Sequence, residues 1–408
     1  MLKLFSKCII PKQLVIQYTD KCNAQCPQCG MNVKESYPRS TLNPDDVKRI
    51  IDTAVKKGIK ILQITGGEPF LFFDEIASLI KYAGNAGIKY ILTGTNGFMF
   101  MNHDSPDFTK RVTNIVEKLA ETRIYSFWIS IDSSVTDVHE KMRGLPGVIA
   151  GIKKVLPIFH KHGIYPAAIL AINRNMNGFW DQMDLKSMEF YEYFTKAFRD
   201  YFNFLLNTGF TTSITAYPMS TYNAYENVEP VYMAISKENL VTFSNEEKAV
   251  LLKAFFDVIP EFRQKIRIFN PMSSLYSLIR QYTDKEWLCY PCRGGSEYFF
   301  VDAKDGNTYP CGFMRQENLG KFWELDFENN NQKPSCVTCD WACFRDPSEL
   351  VGPIEEIFTR PLAFINRVVK DKQFIRVWFK DILYYWACGY FNGRIPPNYK
   401  KLSIFTRR

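Results

Sequence analysis

The sequence predicts an α/β protein: a partial, open (β/α)6 barrel, then a small cysteine-rich module and a C-terminal helical extension. Short β-rich runs alternate with helix patterns over about the first 220 residues, which indicates the barrel. The alternation then stops, and the chain becomes rich in Gly and Cys before a basic, aromatic end. The predicted domains are a barrel core at 1–243, a helical linker at 244–285, a metal-organised module at 286–349 and a basic aromatic helical tail at 350–408.

Each element of the barrel follows from its own pattern. Residues 13–19 (QLVIQYT) are mostly apolar, as a buried parallel strand requires. The segment 43–58 has Asn43 in a capping position, acids in its first turn and Gly58 at its end, as a helix does. Six strand–helix units imply right-handed crossovers but are too few for a closed eight-stranded barrel. The predicted strands are 13–19, 59–65, 88–95, 125–132, 164–173 and 211–218, and the predicted helices are 43–58, 73–87, 107–121, 147–163, one near 183–206, and 237–259.

Composition and charge restrict the class of protein. Of the 408 residues, 46% are hydrophobic and 23% charged, enough for a sizeable core. No apolar run approaches the roughly 20 residues of a membrane-spanning helix, and the first residues do not form a secretory signal, so we expect a cytoplasmic protein. Residues 350–408 hold eleven Lys/Arg against four Asp/Glu, which leaves residues 1–349 nearly neutral. A nucleic-acid partner is therefore not expected.

Nine of the eleven cysteines fall into two clusters. In a reducing compartment, clustered thiols indicate a metal site and not a disulfide framework. The two remaining residues, Cys8 and Cys388, are interpreted as ordinary buried thiols. The first cluster is Cys22, Cys26 and Cys29, and the second is Cys289, Cys292, Cys311, Cys336, Cys339 and Cys343.

The first cluster follows the first predicted strand directly, and two interpretations compete for it. A structural zinc site usually takes four protein ligands, and no histidine lies near enough in the sequence to complete this trio. Three thiolates on a cubane cluster leave one iron open to an external ligand. The pattern therefore favours an iron–sulfur cluster over zinc.

Polar, Gly-rich motifs follow the next three predicted strands. GGEP (66–69) follows the second strand, TNG (95–97) the third, and the segment 130–144, which begins SID and ends RG, the fourth. Each motif alone is compatible with turn chemistry. Because ligands gather at the carboxyl ends of parallel strands, four such loops at consecutive strand ends predict one shared site.

The order CxxxCxxC, GGEP, TNG and SID…RG closely resembles the radical S-adenosylmethionine (SAM) superfamily over about residues 13–220. The resemblance implies that the first three cysteines bind a 4Fe–4S cluster whose fourth iron is chelated by the amino and carboxylate groups of SAM. The chain departs from the family at Gln28, where an aromatic residue usually stacks on the adenine. The positions that match SAM contacts in the family are Gly66, Gly67, Glu68 and Pro69, which would receive the amino group, and Asn96, Ser130 and Arg143.

The second cluster combines C-x13-G-x4-C, from Cys292 through Gly306 to Cys311, with CVTCDWAC at 336–343. A hairpin turning at DAKDGN would bring Cys292 and Cys311 together. Taken alone, the cluster is typical of structural zinc. After a radical SAM core it resembles the auxiliary-cluster extension called SPASM, or its shorter twitch form, although the full seven-cysteine spacing is missing. The resemblance implies one auxiliary 4Fe–4S cluster and leaves open both a second, incompletely ligated one and the choice of four ligands among six.

The basic tail contains a helical pattern over residues 363–391. We interpret it as a helix that caps the core, with a surface for an acidic peptide, a phospholipid headgroup or a membrane face as the alternative. The latter would make the protein peripheral at the membrane. The apolar positions are Phe364, Val368, Ile375, Trp378, Ile382 and Trp386, and the interleaved basic positions are Arg367, Lys370, Arg376 and Lys380.

The resemblance implies an enzyme that reductively cleaves SAM to methionine and a 5′-deoxyadenosyl radical, which abstracts hydrogen from a substrate. An electron donor such as flavodoxin or ferredoxin is implied as a partner, and Asp132 and Tyr217 are candidate acids or bases. Peptide or protein modification is the predicted reaction, although a strand beginning near residue 13 leaves no room for an N-terminal leader-peptide-binding domain. A lipid-linked or sugar-type small molecule is the alternative substrate. A non-catalytic zinc or Fe–S binding protein is the alternative of another class.

Overall fold

Nine strands within the described residues form one sheet, and six of them are the predicted barrel strands. The computed structural model describes residues 11–32, 36–182, 189–218, 231–284, 288–326 and 334–405, so Cys8 and residues 183–188 of the predicted helix near 183–206 lie outside the described residues. The strands are β1 (Lys12–Thr19), β2 (Ile59–Gly66), β3 (Tyr90–Thr95), β4 (Ile124–Ser130), β5 (Ala167–Ala171), β6 (Thr212–Ala216), β7 (Arg267–Ile268), β8 (Tyr298–Val301) and β9 (Thr308–Tyr309).

The strand order is β7-β6-β5-β4-β3-β2-β1-β8-β9. Neighbouring strands pair in parallel throughout, except for the antiparallel pair β8–β9. The six predicted strands are therefore adjacent in chain order, as right-handed strand–helix units require. The fold is the expected α/β partial barrel, extended by one short strand at one edge and by a hairpin at the other.

Twelve α-helices lie within the described residues, and most predicted helices are present. Asn43 caps the first, accepting a hydrogen bond from the Asp45 amide at 2.8 Å, as predicted. The prediction for 237–259 is wrong at its start: Ser244 and Glu247 form a capping box, so the helix begins only at Asn245. The helices are α1 (Pro44–Lys56), α2 (Phe73–Ala86), α3 (Phe108–Ala120), α4 (Thr136–Arg143), α5 (Val148–Lys161), α6 (Phe190–Thr208), α7 (Asn245–Phe262), α8 (Met272–Thr283), α9 (Ala342–Thr359), α10 (Pro361–Lys370), α11 (Lys372–Ala387) and α12 (Tyr399–Leu402).

The two faces of the barrel strands are buried to different degrees. Side chains such as Ile64 and Phe127 are fully buried in the main core. Along the same strands, the alternate positions are only half-buried, as at Thr65, Trp128 and Ser130. Since side chains alternate between the faces of a strand, one face of the sheet packs on the core while the other borders accessible space. That space is the interior of the partial barrel.

The predicted hairpin of the cysteine-rich module is present as β8 and β9, with Phe300 opposite Tyr309. Strand β8 also pairs in parallel with β1, from Gln13 opposite Tyr298 to Ile16 opposite Val301. The module and the barrel thus share one continuous sheet.

The predicted tail helix at 363–391 is two helices, α10 and α11, separated at Asp371. The Asp371 carboxylate accepts a hydrogen bond from the Phe374 amide at 3.0 Å and thereby caps α11. Phe374 and Trp378 are buried, so one side of α11 does cap the core, as predicted. Cys388 is a buried thiol, also as predicted. Among the described residues, no helix is both long and apolar enough to cross a membrane.

Candidate active site

The first three cysteines lie on the loop that follows β1. Cys26 is buried, and Cys22 and Cys29 are half-buried. The backbone amides of Ala24 and Met31 lie 3.5 and 3.4 Å from the sulfurs of Cys22 and Cys29, at donor distance. Burial raises the pKa of all three thiols, that of Cys29 to about 11, and the charges of neighbouring thiols raise the pKa of Cys26 and Cys29 further. The loop therefore brings three thiols close enough to influence one another.

Two polar side chains outside the thiol trio hydrogen-bond to the backbone of the cysteine loop. The Asn32 amide donates to the carbonyl oxygens of Gln25 (3.2 Å) and Cys26 (3.1 Å). The Arg39 guanidinium donates to the carbonyl oxygens of Asp20 and Met31 at 3.0 and 3.1 Å. These bonds stabilise the loop, because each satisfies a carbonyl that an irregular loop would leave unpaired.

The GGEP motif contacts the cysteine loop through its backbone. The Gly67 amide donates to the Thr19 carbonyl oxygen at 2.7 Å, and the Glu68 amide donates to that of Lys21 at 2.9 Å. A Cβ atom at Gly66 would lie 2.3 Å from the Thr19 oxygen, and one at Gly67 would lie 2.3 Å from the Lys21 oxygen. Both glycines are needed for this close backbone approach.

Glu68 and Asn96 connect the end of β2, the end of β3 and the cysteine loop. The buried Glu68 carboxylate accepts hydrogen bonds from the backbone amides of Phe70 (2.9 Å) and Asn96 (2.6 Å). Burial raises the pKa of Glu68 to about 7, against the opposing effect of these hydrogen bonds. The Asn96 side-chain amide donates to Asn23 Oδ1 at 2.9 Å and lies 3.9 Å from the sulfur of Cys22. The Glu68 carboxylate thus joins the end of β2 to that of β3 through backbone amides.

The fourth strand end carries a buried ion pair. Arg143 contacts the Asp132 carboxylate at 2.8 Å, and the Gln28 amide donates to the same carboxylate oxygen at 2.8 Å. Burial lowers the pKa of Arg143, but the charges of Asp132 and of the nearby thiols outweigh it and raise that pKa above its usual range. Ser130 is half-buried at the last position of β4. Gln28, the departure from the family pattern, is thus part of the hydrogen-bond network under the cysteine loop.

Both candidate acids or bases are buried and hydrogen-bonded to neighbouring side chains. Asp132 is fully buried by its partners, and its amide also donates to His139 Nδ1 at 3.1 Å. Tyr217, at the end of β6, is buried, and its hydroxyl donates to the Asp346 carboxylate at 3.0 Å. Burial raises the pKa of Tyr217 well above its usual value. Both side chains serve internal contacts in this structure.

Five of the six C-terminal cysteines pack around one small apolar cluster that includes Phe300 and Trp341. The Cys292 amide donates to the Cys336 carbonyl oxygen at 2.7 Å. After burial, the charges of Cys339, Cys292 and Cys336 raise the pKa of Cys311. Three cysteines thus lie close enough to Cys311 to raise its pKa, and the four thiols come from three chain segments. They are Cys292, Cys311, Cys336 and Cys339.

Cys289 has charged side chains as its neighbours. Its pKa is raised to about 11, first by burial, while the charge of the nearby Arg345 opposes this effect. The Arg345 guanidinium also contacts the Glu349 carboxylate at 3.1 Å, and both of those side chains are fully buried. The neighbours of this thiol are therefore the charged groups of α9.

Cys343 lies against the barrel strands. Its sulfur is 3.5 Å from the side-chain amides of both Gln13 and Gln63. Burial raises the pKa of Cys343 to about 12. The charge of Cys292 also raises this pKa, but it is the smallest of the contributions. This thiol thus stands beside the group of four and faces the barrel.

The segment 231–236 lies between the two cysteine clusters, and no sequence motif pointed to it. The amides of Val231 and Tyr232 both donate to the Gly312 carbonyl oxygen, next to Cys311. A Cβ atom at Gly30, next to Cys29, would lie 2.3 Å from the carbonyl oxygen of Met233. The Tyr232 hydroxyl is 3.4 Å from the Thr65 hydroxyl, and its ring packs against Phe300 and Trp341. One side chain therefore touches both the barrel interior and the auxiliary module.

A cavity of about 410 Å³ opens beside the cysteine loop. Cys29 and Gly30 form one side, and Lys141, Asn175 and Phe179 are among the residues opposite. It offers room for a ligand next to a cysteine of the first trio.

The residues present fit iron–sulfur clusters. The first loop offers three thiols, with no fourth cysteine in that loop, and the module offers four thiols that act on one another. Within the described ranges, no three His, Cys, Asp or Glu side chains converge as a site for a single metal ion. A polynuclear cluster does not need such convergence, because its ligands bind different iron atoms.

Comparisons with known proteins identify a family match and several relatives. The radical SAM superfamily model matches residues 16–180. The AdoMet-dependent heme synthase of Methanosarcina barkeri is 24% identical over 323 residues, which cover 77% of this chain and 82% of that protein. A probable GTP 3',8-cyclase of Methanocaldococcus jannaschii is 29% identical, but over only 36% of this chain and 46% of its own length.

Among solved structures, native anSMEcpe with bound AdoMet is similar with a TM-score of 0.50 and 16% identity, covering 87% of this chain and 98% of that one. Streptococcus suis SuiB bound to its precursor peptide SuiA is similar with a TM-score of 0.50 and 16% identity, covering 81% of this chain and 67% of that one. At these sequence identities, the similarity to both structures shows a shared fold. Residues 16–180, which include the thiol trio, therefore form a radical SAM domain, and enzymes of that family use a 4Fe–4S cluster and SAM.

Proposed function

We propose that Cys22, Cys26 and Cys29 hold the 4Fe–4S cluster and that SAM binds against the loops that follow β2, β3 and β4. The observation that carries this proposal is the hydrogen-bonded contact of the GGEP backbone and of Asn96 with the cysteine loop. Held there, the cluster and SAM would supply radical chemistry, in which one electron cleaves SAM to methionine and a 5′-deoxyadenosyl radical that would abstract hydrogen from the substrate. A ferredoxin or flavodoxin is the proposed source of that electron.

The chain's own residues position this site. Gly66 and Gly67 allow the β2 end to approach the cysteine loop, and Asn96 orients the segment around Cys22. Asp132 and Arg143, with Gln28, form a rigid support beneath the same loop. We assign Asp132 to this supporting role, because its carboxylate is fully buried and its Oδ2 accepts hydrogen bonds from both Gln28 and Arg143.

The six C-terminal cysteines divide into two groups in this proposal. Cys292, Cys311, Cys336 and Cys339 hold one auxiliary 4Fe–4S cluster, because they pack around one apolar core and the Cys292 backbone pairs with that of Cys336. Cys343 packs at the same core, but its sulfur already has the side chains of Gln13 and Gln63 as partners. Cys289 and Cys343 are not ligands of that cluster, since they face Arg345 and the two barrel glutamines instead.

The substrate class rests on the comparisons. SuiB was solved with its precursor peptide, and anSMEcpe with the Kp18Cys peptide, which supports peptide modification. The heme synthase relative, which aligns with 77% of this chain, supports a small molecule as the second candidate. We propose a peptide substrate, with a small molecule, such as the lipid-linked or sugar-type compound, as the alternative.

The first test targets the thiol trio. Cys26→Ala should lose the SAM-binding cluster and all production of 5′-deoxyadenosine in anaerobically reconstituted protein supplied with SAM and a strong reductant. The matched control is Cys388→Ala, which removes a buried thiol that packs in a separate apolar cluster with Tyr384 and Phe391 and should keep the activity. Normal cleavage of SAM by the Cys26 variant would refute the assignment.

A second test separates the auxiliary ligands. Cys339→Ala should lower the iron content from about eight to about four per chain while SAM cleavage continues, and Cys289→Ala should leave the iron content unchanged. Equal iron loss in both variants would contradict the choice of four ligands.

The substrate test uses cell extract. The wild-type enzyme and the Cys26→Ala variant are incubated with SAM, reductant and extract, and the peptide and small-molecule fractions are compared by mass spectrometry. A mass change confined to the small-molecule fraction would overturn the peptide proposal in favour of the alternative.

A further inference from the structure

The C-terminal helices expose large apolar side chains in rows. Helix α10 contains no buried residue. Its Leu362, Ile365 and Val369 are 81%, 57% and 66% exposed, and their spacing places them on one side of the helix. Monomeric soluble proteins rarely expose contiguous apolar surface of this kind without a function.

The next helix also exposes a row of apolar side chains. Phe379, Leu383 and Trp386 of α11 are 57%, 42% and 49% exposed and lie four and three residues apart, on one side of the helix. The opposite side, with Phe374 and Tyr384, is buried against the core. The exposed row is therefore additional to the apolar side that packs inward.

The charge around these rows has a single sign. Every exposed charged side chain among the described residues 357–405 is a lysine or an arginine. The two acids of this stretch, Asp371 and Asp381, are buried, where they pair with Arg280 and Arg263 of the core. The exposed basic residues are Arg360, Lys370, Lys372, Arg376, Lys380, Lys400 and Lys401.

Basic and aromatic groups are also in contact within this surface. The Lys401 ammonium lies 4.2 Å from the centre of the Trp386 ring, within the range of a cation–π contact. Tyr390, just beyond α11, is 62% exposed. Aromatic rings beside cationic heads are typical of segments that lie at a membrane–water interface.

We propose that α10, α11 and the following turn bind the surface of a lipid bilayer that contains anionic phospholipids. The aliphatic and aromatic rows would enter the boundary between headgroups and acyl chains, while the surrounding Lys and Arg contact lipid phosphates. A second copy of this chain is a poorer occupant, because pairing this face with itself would bring seven exposed cations against seven. Attachment would be peripheral and independent of the radical chemistry.

The test measures co-sedimentation of the full-length protein with vesicles. Binding is expected to vesicles of phosphatidylcholine and phosphatidylglycerol in equal parts, to weaken with added salt, and to be small for pure phosphatidylcholine. Replacing Lys372, Arg376 and Lys380 together by Gln should weaken binding by about a hundredfold, since each surface cation near anionic lipid contributes about a factor of five.

The apolar contribution is tested separately with Ile365→Ser/Val369→Ser, which should weaken binding by roughly tenfold or more without altering the fold, because both side chains are exposed. The matched control is Val135→Ser, an exposed valine outside this surface. Equal vesicle binding by all variants would overturn the proposal. Absence of binding, with a dimer in analytical ultracentrifugation that the Ile365/Val369 variant dissociates, would instead assign the face to a second copy.

Discussion

Gln28 stands where the radical SAM family usually has an aromatic residue, and its amide donates to Asp132 in this structure. The sequence showed the departure but not its partner, because Asp132 is 104 residues away. A contact at that separation depends on how two strand ends meet. Spacing within the motif carries no information about it.

Asp346 provides a residue-scale prediction about pH. It is buried, accepts hydrogen bonds from the Ser274 and Tyr217 hydroxyls, and has its pKa raised by burial to about 7. Between about pH 4 and pH 7 the folded state therefore holds a proton that the unfolded state releases, so this residue lowers stability as pH rises through that window. Asp346→Asn should reduce the fall in the free energy of unfolding between about pH 5 and about pH 7.5, measured by urea denaturation of cluster-free protein.

The control for this prediction is Asp74→Asn, which changes an exposed carboxylate. That variant should retain the wild-type pH dependence. If Asp346→Asn retained it too, the buried carboxyl would not be protonated in the folded protein.

At the scale of the elements, the sequence predicted the barrel strands well because their apolar runs are bounded by capping residues and glycines. It misplaced the start of α7, where Ser244 and Glu247 form a capping box. It also joined α10 and α11, which Asp371 separates. In both cases a polar side chain hydrogen-bonds to the backbone and sets the boundary of a helix. The apolar periodicity of the sequence continues past that boundary and does not reveal it.

Pairing between β3 and β4 gives an element-scale prediction. Gly94 lies opposite Trp128, and a Cβ atom at Gly94 would lie 2.2 Å from the indole. Gly94→Ala should therefore lower the free energy of unfolding by about 1–3 kcal/mol through overpacking. In a Trp128→Ala background the same change should be nearly neutral, so a double-mutant cycle by urea denaturation measures the contact. An equal effect in both backgrounds would exclude the indole as its cause.

At the scale of the whole molecule, the cysteine-rich module is attached to the barrel by more than its strand pairing with β1. The Lys248 ammonium of α7 lies 2.9 Å from the carboxylate of Asp340, next to Cys339, and both side chains are buried. The Tyr282 hydroxyl of α8 donates to the same carboxylate oxygen at 2.8 Å. Helices α7 and α8 of the predicted linker thus contact the module directly.

Breaking this ion pair should destabilise the molecule strongly. Lys248→Met leaves the Asp340 carboxylate buried with one donor fewer and is expected to lower the free energy of unfolding by about 3–5 kcal/mol, whereas Lys248→Met/Asp340→Leu should lose less. The matched control is Lys118→Met, which breaks the exposed pair with Asp74 and should change stability by about 1 kcal/mol or less. A small effect of Lys248→Met, measured by urea denaturation, would show that this contact does not dock the module.

The sequence by itself determined the parallel barrel, the position of the thiol trio after the first strand, the motifs at the next strand ends and the hairpin of the second cluster. These features are local: they depend on residues within one strand, loop or turn, where spacing and side-chain type decide the structure.

Only the tertiary structure decided which C-terminal cysteines act together, that residues 231–236 lie between the two clusters, and which side of α11 remains exposed. Each of these depends on segments far apart in the chain, whose relative placement follows from sheet order and core packing. Composition detected the basic character of the tail, but the burial of Asp371 and Asp381 is what leaves its surface with one sign of charge.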